Sequence, residues 1–362
     1  MYETSLKILK KIEEPGFKAY IVGGFSRDLY LGKESTDVDI CTNATPKDLK
    51  ELFKGIILPN EQYGSVTVIF HKIHFEITTF REDIKYLDNR HPSKVRYIND
   101  LLKDLKRRDF TINTICINSE GAYIDLLGGL KDIDARVIKM IGNPKTRLKE
   151  DSLRILRAIR FATTLNFQID NELKKYIKKY GSLLKKLSYY RKKEELNKIF
   201  ASSNVSIGID LIKKLKLDKP LELNNLDKLK ITTQPLGIWA QLDVLNKYTF
   251  TANEKDIIVK INELMNKDLF DLENLYKYGL YISTIVGEIK GIDKKKVVAA
   301  YNDLYIQNKL DIAISPEKIC EVLNKKPGAF LKTILTDLEH KLIKKELLNE
   351  ESLLINYILE NY

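Results

Sequence analysis

The chain has 362 residues, with 61 Lys plus Arg against 50 Asp plus Glu, a formal net charge of +11 and a pI near 9.1. That length can bury a sizeable core and predicts roughly two to four structural units, while the basic balance favours a polyanionic partner unless lysine is simply abundant throughout. No apolar run is long enough to span a bilayer, and Cys41, Cys116 and Cys320 are too scattered for a disulfide framework or a CxxC metal site, which predicts a reducing, cytoplasmic setting. Residues 1–17 interleave acids and lysines with Leu6, Leu9 and Ile12 at helical spacing, unlike the unbroken apolar core of a signal peptide.

Ala19–Val22 predicts a short buried strand, Gly23-Gly24 a tight turn, and Arg27-Asp28 the opening of a helix. A helix start presents unpaired N–H groups and partial positive charge, so this turn is a candidate phosphate seat, with Arg27 adding a donor fork. Residues 37–40, DVDI, predict a second strand on which Asp37 and Asp39 share a face. Paired carboxylates beside a phosphate seat suit Mg²⁺, which takes oxygen ligands. Alone, Gly-Gly is a turn and DxD a solvated edge; their fixed order is what points to chemistry. Thr45-Pro46-Lys47 marks the cap of a helix running to about Phe53. Ser65–Phe70 and residues 73–80 predict a hairpin about His71-Lys72, with Glu76 in its second strand. Residues 81–104 are charged and aperiodic and predict a mobile loop.

Next comes RRDFTIN, from Arg107 to Asn113, where an Arg beside an Asp could be an ordinary ion pair. Asp125, Gly128, Gly129 and Asp132 predict turn and hinge positions. Residues 149–165, KEDSLRILRAIRFATTL, hold good helix formers and predict one continuous helix. At about 100° per residue, Arg154, Arg157 and Arg160 form a basic stripe with Asp151 at its edge, opposite an apolar face of Ile155, Ile159 and Ala162. Such a stripe is usually solvated surface, but Asp151 and Arg154 have a further possibility. Cytosine and adenine both offer an exocyclic amino donor beside a ring-nitrogen acceptor, and uracil and guanine reverse that order. A carboxylate beside a guanidinium therefore pairs with C or A and leaves buried groups unpaired against U or G. Arg160, about 120° round from Arg154, points toward a phosphate or the head instead of the base edge. Beyond Asn166, Leu, Ile and Lys at helical spacing predict an all-helical remainder, with Pro220 and residues 232–237 marking a boundary. Trp239 reads as core, and Ser315-Pro316-Glu317 as another helix cap.

Taken together, GGxxRD followed by DxDI, then RRDFTIN, DLLGGLKD and EDxxR resemble the class II tRNA nucleotidyltransferases. These are the CCA-adding enzymes of the polymerase β-like superfamily, which also holds bacterial poly(A) polymerases. The resemblance implies that Gly24 and Arg27 hold the incoming nucleotide and that Asp37 and Asp39 bind Mg²⁺. It makes Glu76 a third carboxylate, orienting the metal or taking the proton of the attacking hydroxyl. Arg108 is then expected on the triphosphate, and Asp109 and Asn113 at the ribose hydroxyls. Asp151 and Arg154 become the pair that selects CTP and ATP, with Arg157 and Arg160 completing the nucleotide site. Arg81, Asp83, Tyr86, Asp88, Arg90, Pro92 and Val95 match the family's loop between its first two motifs, which the resemblance ties to the switch from adding C to adding A. Residues 60–65, NEQYGS, have the CCA-enzyme form, and residues 324–330, NKKPGAF, resemble the tail motif of Gram-positive-type enzymes. Two positions depart from the pattern: Thr114-Ile115 replaces the usual Ala-Leu, and Tyr190 stands where a Glu is usual.

The expected architecture is an α/β head of polymerase β-like nucleotidyltransferase type followed by all-α neck, body and tail. The expected bounds are residues 1–137 for the catalytic head, 138–202 for the nucleotide-selecting neck, 203–295 for the body and 296–362 for the tRNA-binding tail. The expected activity is template-independent addition of CCA to the 3′ end of tRNA from CTP and ATP, with no membrane and no protein partner implied. Alternatives are a partial CC- or A-adding enzyme, a poly(A) polymerase, and an RNA-binding protein with a vestigial head. A dinucleotide-binding reading of Gly23-Gly24 fails because the glycine fingerprint is incomplete.

Overall fold

The structure is a computed structural model, and it describes residues 1–53, 57–60, 64–86 and 92–362. The chain divides into two compact units, Met1–Glu222 and Leu223–Tyr362.

In the first unit, α1 (Tyr2–Glu13) precedes β1 (Ala19–Val22), α2 (Gly24–Tyr30), β2 (Val38–Thr42) and α3 (Pro46–Leu52). Thr45 caps α3 in a reciprocal box with Asp48, behind Pro46 at the first turn, so that helix starts where its sequence says. Then come β3 (Ile57–Asn60), β4 (Ser65–Phe70) and β5 (Ile73–Thr79). His71 and Lys72, at φ 49° and 65°, make the two-residue turn of the expected hairpin.

These strands join a seven-stranded sheet of order β3-β4-β5-β2-β1-β8-β9, where β8 is Cys116–Ile117 and β9 is Tyr123–Ile124. Among the paired strands β2 and β5 run parallel and their neighbours antiparallel, which sets Asp39 opposite Glu76. Alternation along the strands sorts the two faces. Ile21, Ile40 and Ile77 pack with Ile8, Leu9 and Ile12 of α1, whereas Val22, Cys41 and Cys116 pack with Phe80 and Leu105 beneath the other face. Cys41 and Cys116, distant in sequence, thus meet in one buried cluster as free thiols.

Residues 81–104 correct the expectation of a loop. Their described part forms an antiparallel hairpin of β6 (Arg81–Tyr86) and β7 (Pro92–Tyr97), followed by α4 (Leu101–Lys106). The strand sequences, REDIKY and PSKVRY, are charged and carry no regular apolar–polar alternation, so the period-two signal was missing. Asp88 and Arg90 of the matching family loop, like Glu61, Gln62 and Tyr63, lie outside the described residues.

After α5 (Gly129–Asp134) and β10 (Val137–Ile138) come α6 (Pro144–Glu150), α7 (Leu153–Leu165), β11 (Gln168–Ile169), α8 (Asn171–Tyr180), α9 (Tyr189–Phe200), α10 (Val205–Lys214) and α11 (Asp218–Leu221). The continuous helix expected over 149–165 is two helices. Asp151, at φ −143° and ψ 102°, breaks it and accepts the Leu153 N–H at 3.0 Å, taking up an amide that a continuous helix would have bonded internally. Nor is α7 half-solvated: Arg154 and Arg160 are buried along with Ile155, Ile159 and Ala162. The short parallel pair of β10 with β11 is a strand beyond Asn166 that the helical reading omitted.

The second unit is helical: α12 (Pro235–Gln241), α13 (Ala252–Met265), α14 (Leu272–Lys290), α15 (Lys294–Asn302), α16 (Pro316–Val322), α17 (Phe330–Ile343) and α18 (Glu351–Asn361). Trp239 is buried against the rings of Tyr248 and Phe250, and Ser315 caps α16 through the Lys318 N–H. No described helix is long and apolar enough to cross a membrane.

Candidate active site

At the end of β1 the chain turns through Gly23, at φ 86° and ψ −134°, a conformation that L side chains rarely adopt. A Cβ at Gly23 would lie 3.4 Å from Asp39 Oδ2 and 3.9 Å from Arg108 Nη1, so the turn is flanked by an acid on one side and a cation on the other. One turn into α2, Arg27 donates from Nη1 to Asn113 Oδ1 at 2.6 Å and from Nε to Asp28 Oδ1 at 2.9 Å, which fixes its plane.

Asp37 lies just before β2, and Asp39 within it projects to the open side of the sheet end. Asp39 keeps solvent access, yet the surrounding protein desolvates its carboxyl. That burial, together with the charges of Glu76 and Asp37 and against the pull of Arg108, pushes it up to about 6. Crowded hard oxygens of like charge are the environment a divalent cation relieves. Among the described residues no three acidic, His or Cys side chains form a ready-made cage. Two carboxylates therefore fit an ion whose remaining positions go to water and phosphate, the usual arrangement for Mg²⁺ at a nucleotide.

Across the cleft, Asp109 is buried and fully engaged. Oδ2 accepts from Arg157 Nε at 2.7 Å, and Oδ1 from the Phe110 N–H at 2.8 Å and Asn113 Nδ2 at 3.1 Å. Burial opposes its ionisation, but Arg157 and these hydrogen bonds outweigh it and hold the carboxyl at about 2. Asn113 therefore links Arg27 to Asp109, and Asp109 links both to Arg157, in one chain of contacts from α2 to α7.

Asp151 and Arg154 flank the helix break. Arg154 Nε stands 3.9 Å from Asp151 Oδ2, while Nη1 donates to the Arg147 carbonyl at 2.8 Å and lies 3.5 Å from Glu150. The pair is adjacent, as the spacing required, but it is set by the junction of two helices and not by one helical stripe. Arg160 Nε is 3.3 Å from Glu195 of α9, and burial, opposed by the charges of Glu195 and Asp109 but aided by Arg157 and Arg27, lowers it to about 10, still cationic at neutral pH.

All the candidate catalytic and nucleotide-binding residues except Glu76 line one cleft of about 580 Å³. Glu76 takes its place on the strand beside Asp39. Six arginines and five aspartates line that space, the cations mostly toward α7 and the acids Asp37 and Asp39 at the sheet end. A cationic wall facing an acidic edge can hold a polyphosphate with a bridging divalent cation.

Sequence reasoning missed several participants. Phe161 lies under the guanidiniums of Arg27, Arg157 and Arg160, its centroid 5.3, 5.4 and 4.2 Å from them. Its place four residues after Arg157 was the available signal. Glu150, within the EDxxR motif, Arg147 through its carbonyl, and Glu195 of α9 hold the arginines, and only the fold reveals those pairings.

Residues 19–139 match the family described as poly A polymerase head domain, residues 166–225 that described as probable RNA and SrmB-binding site of polymerase A, and residues 239–358 the tRNA nucleotidyltransferase domain 2 family. The chain is 36% identical to the CCA-adding enzyme of Lactococcus lactis subsp. cremoris over 373 residues, covering 95% of this chain and 92% of that protein. It is 32% identical to the CCA-adding enzyme of Streptococcus agalactiae over 390 residues, covering 99% and 96%. Among solved structures, the Bacillus stearothermophilus CCA-adding enzyme in complex with CTP superposes with a TM-score of 0.81 at 26% identity, covering 99% of this chain and 97% of that one. The Thermotoga maritima CCA-adding enzyme complexed with tRNA shares the fold, with a TM-score of 0.68 at 20% identity over 98% and 94%.

Proposed function

This chain belongs to the CCA-adding enzymes of the tRNA nucleotidyltransferase and poly(A) polymerase family, and from that premise we propose that it adds CCA to the 3′ end of tRNA from CTP and ATP, without a nucleic-acid template. The supporting observation is the single cleft at which Asp37 and Asp39 face the linked set Arg27, Asn113, Asp109 and Arg157, with Asp151 and Arg154 at its rim. The work is carried out in the cytoplasm.

In the reaction, the tRNA 3′-oxygen forms a bond to the nucleotide α-phosphorus as the bond to the bridging oxygen breaks, and pyrophosphate leaves with that electron pair. Asp37 and Asp39 would hold Mg²⁺, whose chemistry is to acidify the attacking hydroxyl and neutralise charge on the leaving group. Arg27, its plane fixed by Asp28 and Asn113, and Arg108 receive triphosphate oxygens. Asp109 and Asn113 meet the ribose hydroxyls, and Asp151 with Arg154 reads the base edge. Glu76, beside Asp39, orients the acidic pair or accepts the hydroxyl proton. The head of residues 1–137 thus supplies the chemistry and the neck of 138–202 the selection, while the body of 203–295 and the tail of 296–362 hold the tRNA through phosphates and shape.

The test is incorporation into tRNA lacking its end, with CTP alone and with both nucleotides. Complete addition requires both, a partial enzyme stops short, and a poly(A) polymerase extends with ATP alone. Asp37→Ala is expected to abolish incorporation while sparing tRNA binding; normal turnover by that variant would refute the site.

A further inference from the structure

Asp104, on α4, has no solvent exposure. A carboxylate in that position is costly unless it is paired and hydrogen-bonded. Its Oδ1 accepts from Arg107 Nε at 2.9 Å and from the backbone N–H of Arg81, the first residue of β6, at 3.1 Å. Its Oδ2 accepts from Arg108 Nη2 at 3.3 Å. One carboxylate therefore joins the root of the β6–β7 hairpin to both arginines of the RRDFTIN motif.

The far side of Arg108 explains why that junction matters. Its other terminal nitrogen, Nη1, lies by the Gly23 turn, next to the space that Asp39 Oδ2 also borders. Among the described residues Asp104 is its ion-pair partner, and Arg108 Nε is buried without a hydrogen bond. A guanidinium held by one terminal nitrogen, with the other aimed into a cleft, has lost its rotamer freedom before a ligand arrives.

We infer that Asp104 is a positioning residue for the nucleotide: it grips Arg107 and Arg108 from behind so that Arg108 Nη1 faces the triphosphate, and it ties that aim to the hairpin root. This rests on the reading of the cleft given above. Because Arg108 is directed at phosphate and not at the base, the effect is indifferent to base identity, unlike that of Arg154. The competing account is that Asp104 merely holds α4 against β6.

A double-mutant cycle on the full-length protein, read as the dissociation constants of CTP and ATP by equilibrium dialysis with Mg²⁺, separates the two. Asp104→Asn is expected to weaken CTP and ATP alike, by about tenfold. In an Arg108→Ala background the same change is expected to weaken them less than about twofold further, because the group it positions is gone. Should Asp104→Asn not fold, Asp104→Glu keeps the charge but displaces it by one methylene and serves in the same cycle. Additive effects, or a tenfold loss confined to one nucleotide, would overturn the inference. Failure of the unmodified protein to bind either nucleotide would instead overturn the reading of the cleft, so the two failures are distinguishable.

Discussion

Asp109 turns a local contact into a pH-dependent contribution to stability. Its folded value, about 2, lies below the value of about 3.8 expected for an unpaired aspartate. A depressed carboxylate contributes stability that is fully present above the unfolded value and is lost as pH falls through the folded one. For this buried side chain the contribution is about 2 kcal/mol, lost between roughly pH 4 and pH 2. Urea unfolding over that range should therefore show a shallower pH dependence in Asp109→Asn than in the unmodified protein; equal slopes would remove the Arg157 pairing as its cause. Asp104 is also lowered, because Arg107, Arg108 and the Arg81 N–H outweigh its burial, so the difference between variants and not the absolute slope is the measure. At this scale the sequence was legible where the chemistry needs a residue type at a fixed spacing, as in Asp37 and Asp39. It was silent on Phe161, an ordinary helix residue until three cations are folded onto one ring, and on the arginine that Glu195 of α9 would meet.

Gly129 does for an element what Asp109 does for a pair. It begins α5 against the 3₁₀ turn Thr111–Asn113, and a Cβ there would lie 2.3 Å from the Thr111 carbonyl oxygen. Thr111 also donates its hydroxyl to Asp132 at 2.6 Å, so α5 clamps the turn that carries Asn113 into the cleft. Gly129→Ala is expected to cost about 2–3 kcal/mol, because backbone must move, and to weaken nucleotide binding with it. Gly128→Ala, at φ 74° with open space around it, should cost only about 1 kcal/mol of strain. Thermal unfolding of both variants checks the order; Gly128→Ala proving the more damaging would refute the clamp. Elements announced by caps, such as α3 and α16, and by buried alternation, such as β4 and β5, could be read in advance. The β6–β7 hairpin could not, since its charged strand sequences carry no apolar alternation. The α6–α7 junction was hidden because each residue there is a tolerable helix former and only the Asp151 side chain, competing for the Leu153 N–H, decides otherwise.

For the molecule as a whole, a net charge of +11 and a polyanionic substrate imply binding by counterion release. The affinity for tRNA should fall steeply and linearly on a logarithmic scale between about 50 and 200 mM salt, while the CTP affinity, proposed to rest on the cleft arginines, should fall much less. Filter binding across a salt series measures both; parallel slopes would mean that the tRNA is held by the cleft arginines alone. The division after Glu222 falls beside Pro220, one of the two boundary marks in the sequence, although Leu, Ile and Lys at helical spacing continue on both sides of it.

The interior strand β1 is made early but pairs on one side with β8, through Ile21 with Ile117 and Val22 with Cys116, and the cleft closes only with α7. During synthesis the ribosome therefore releases β1 long before its second neighbour exists, leaving a hydrogen-bonding edge bare in the nascent chain. Any message truncated before α7 would yield a fragment that keeps Asp37, Asp39, Arg27 and Arg108 but lacks Arg154, Arg157 and Arg160, half of the arginines that line the cleft.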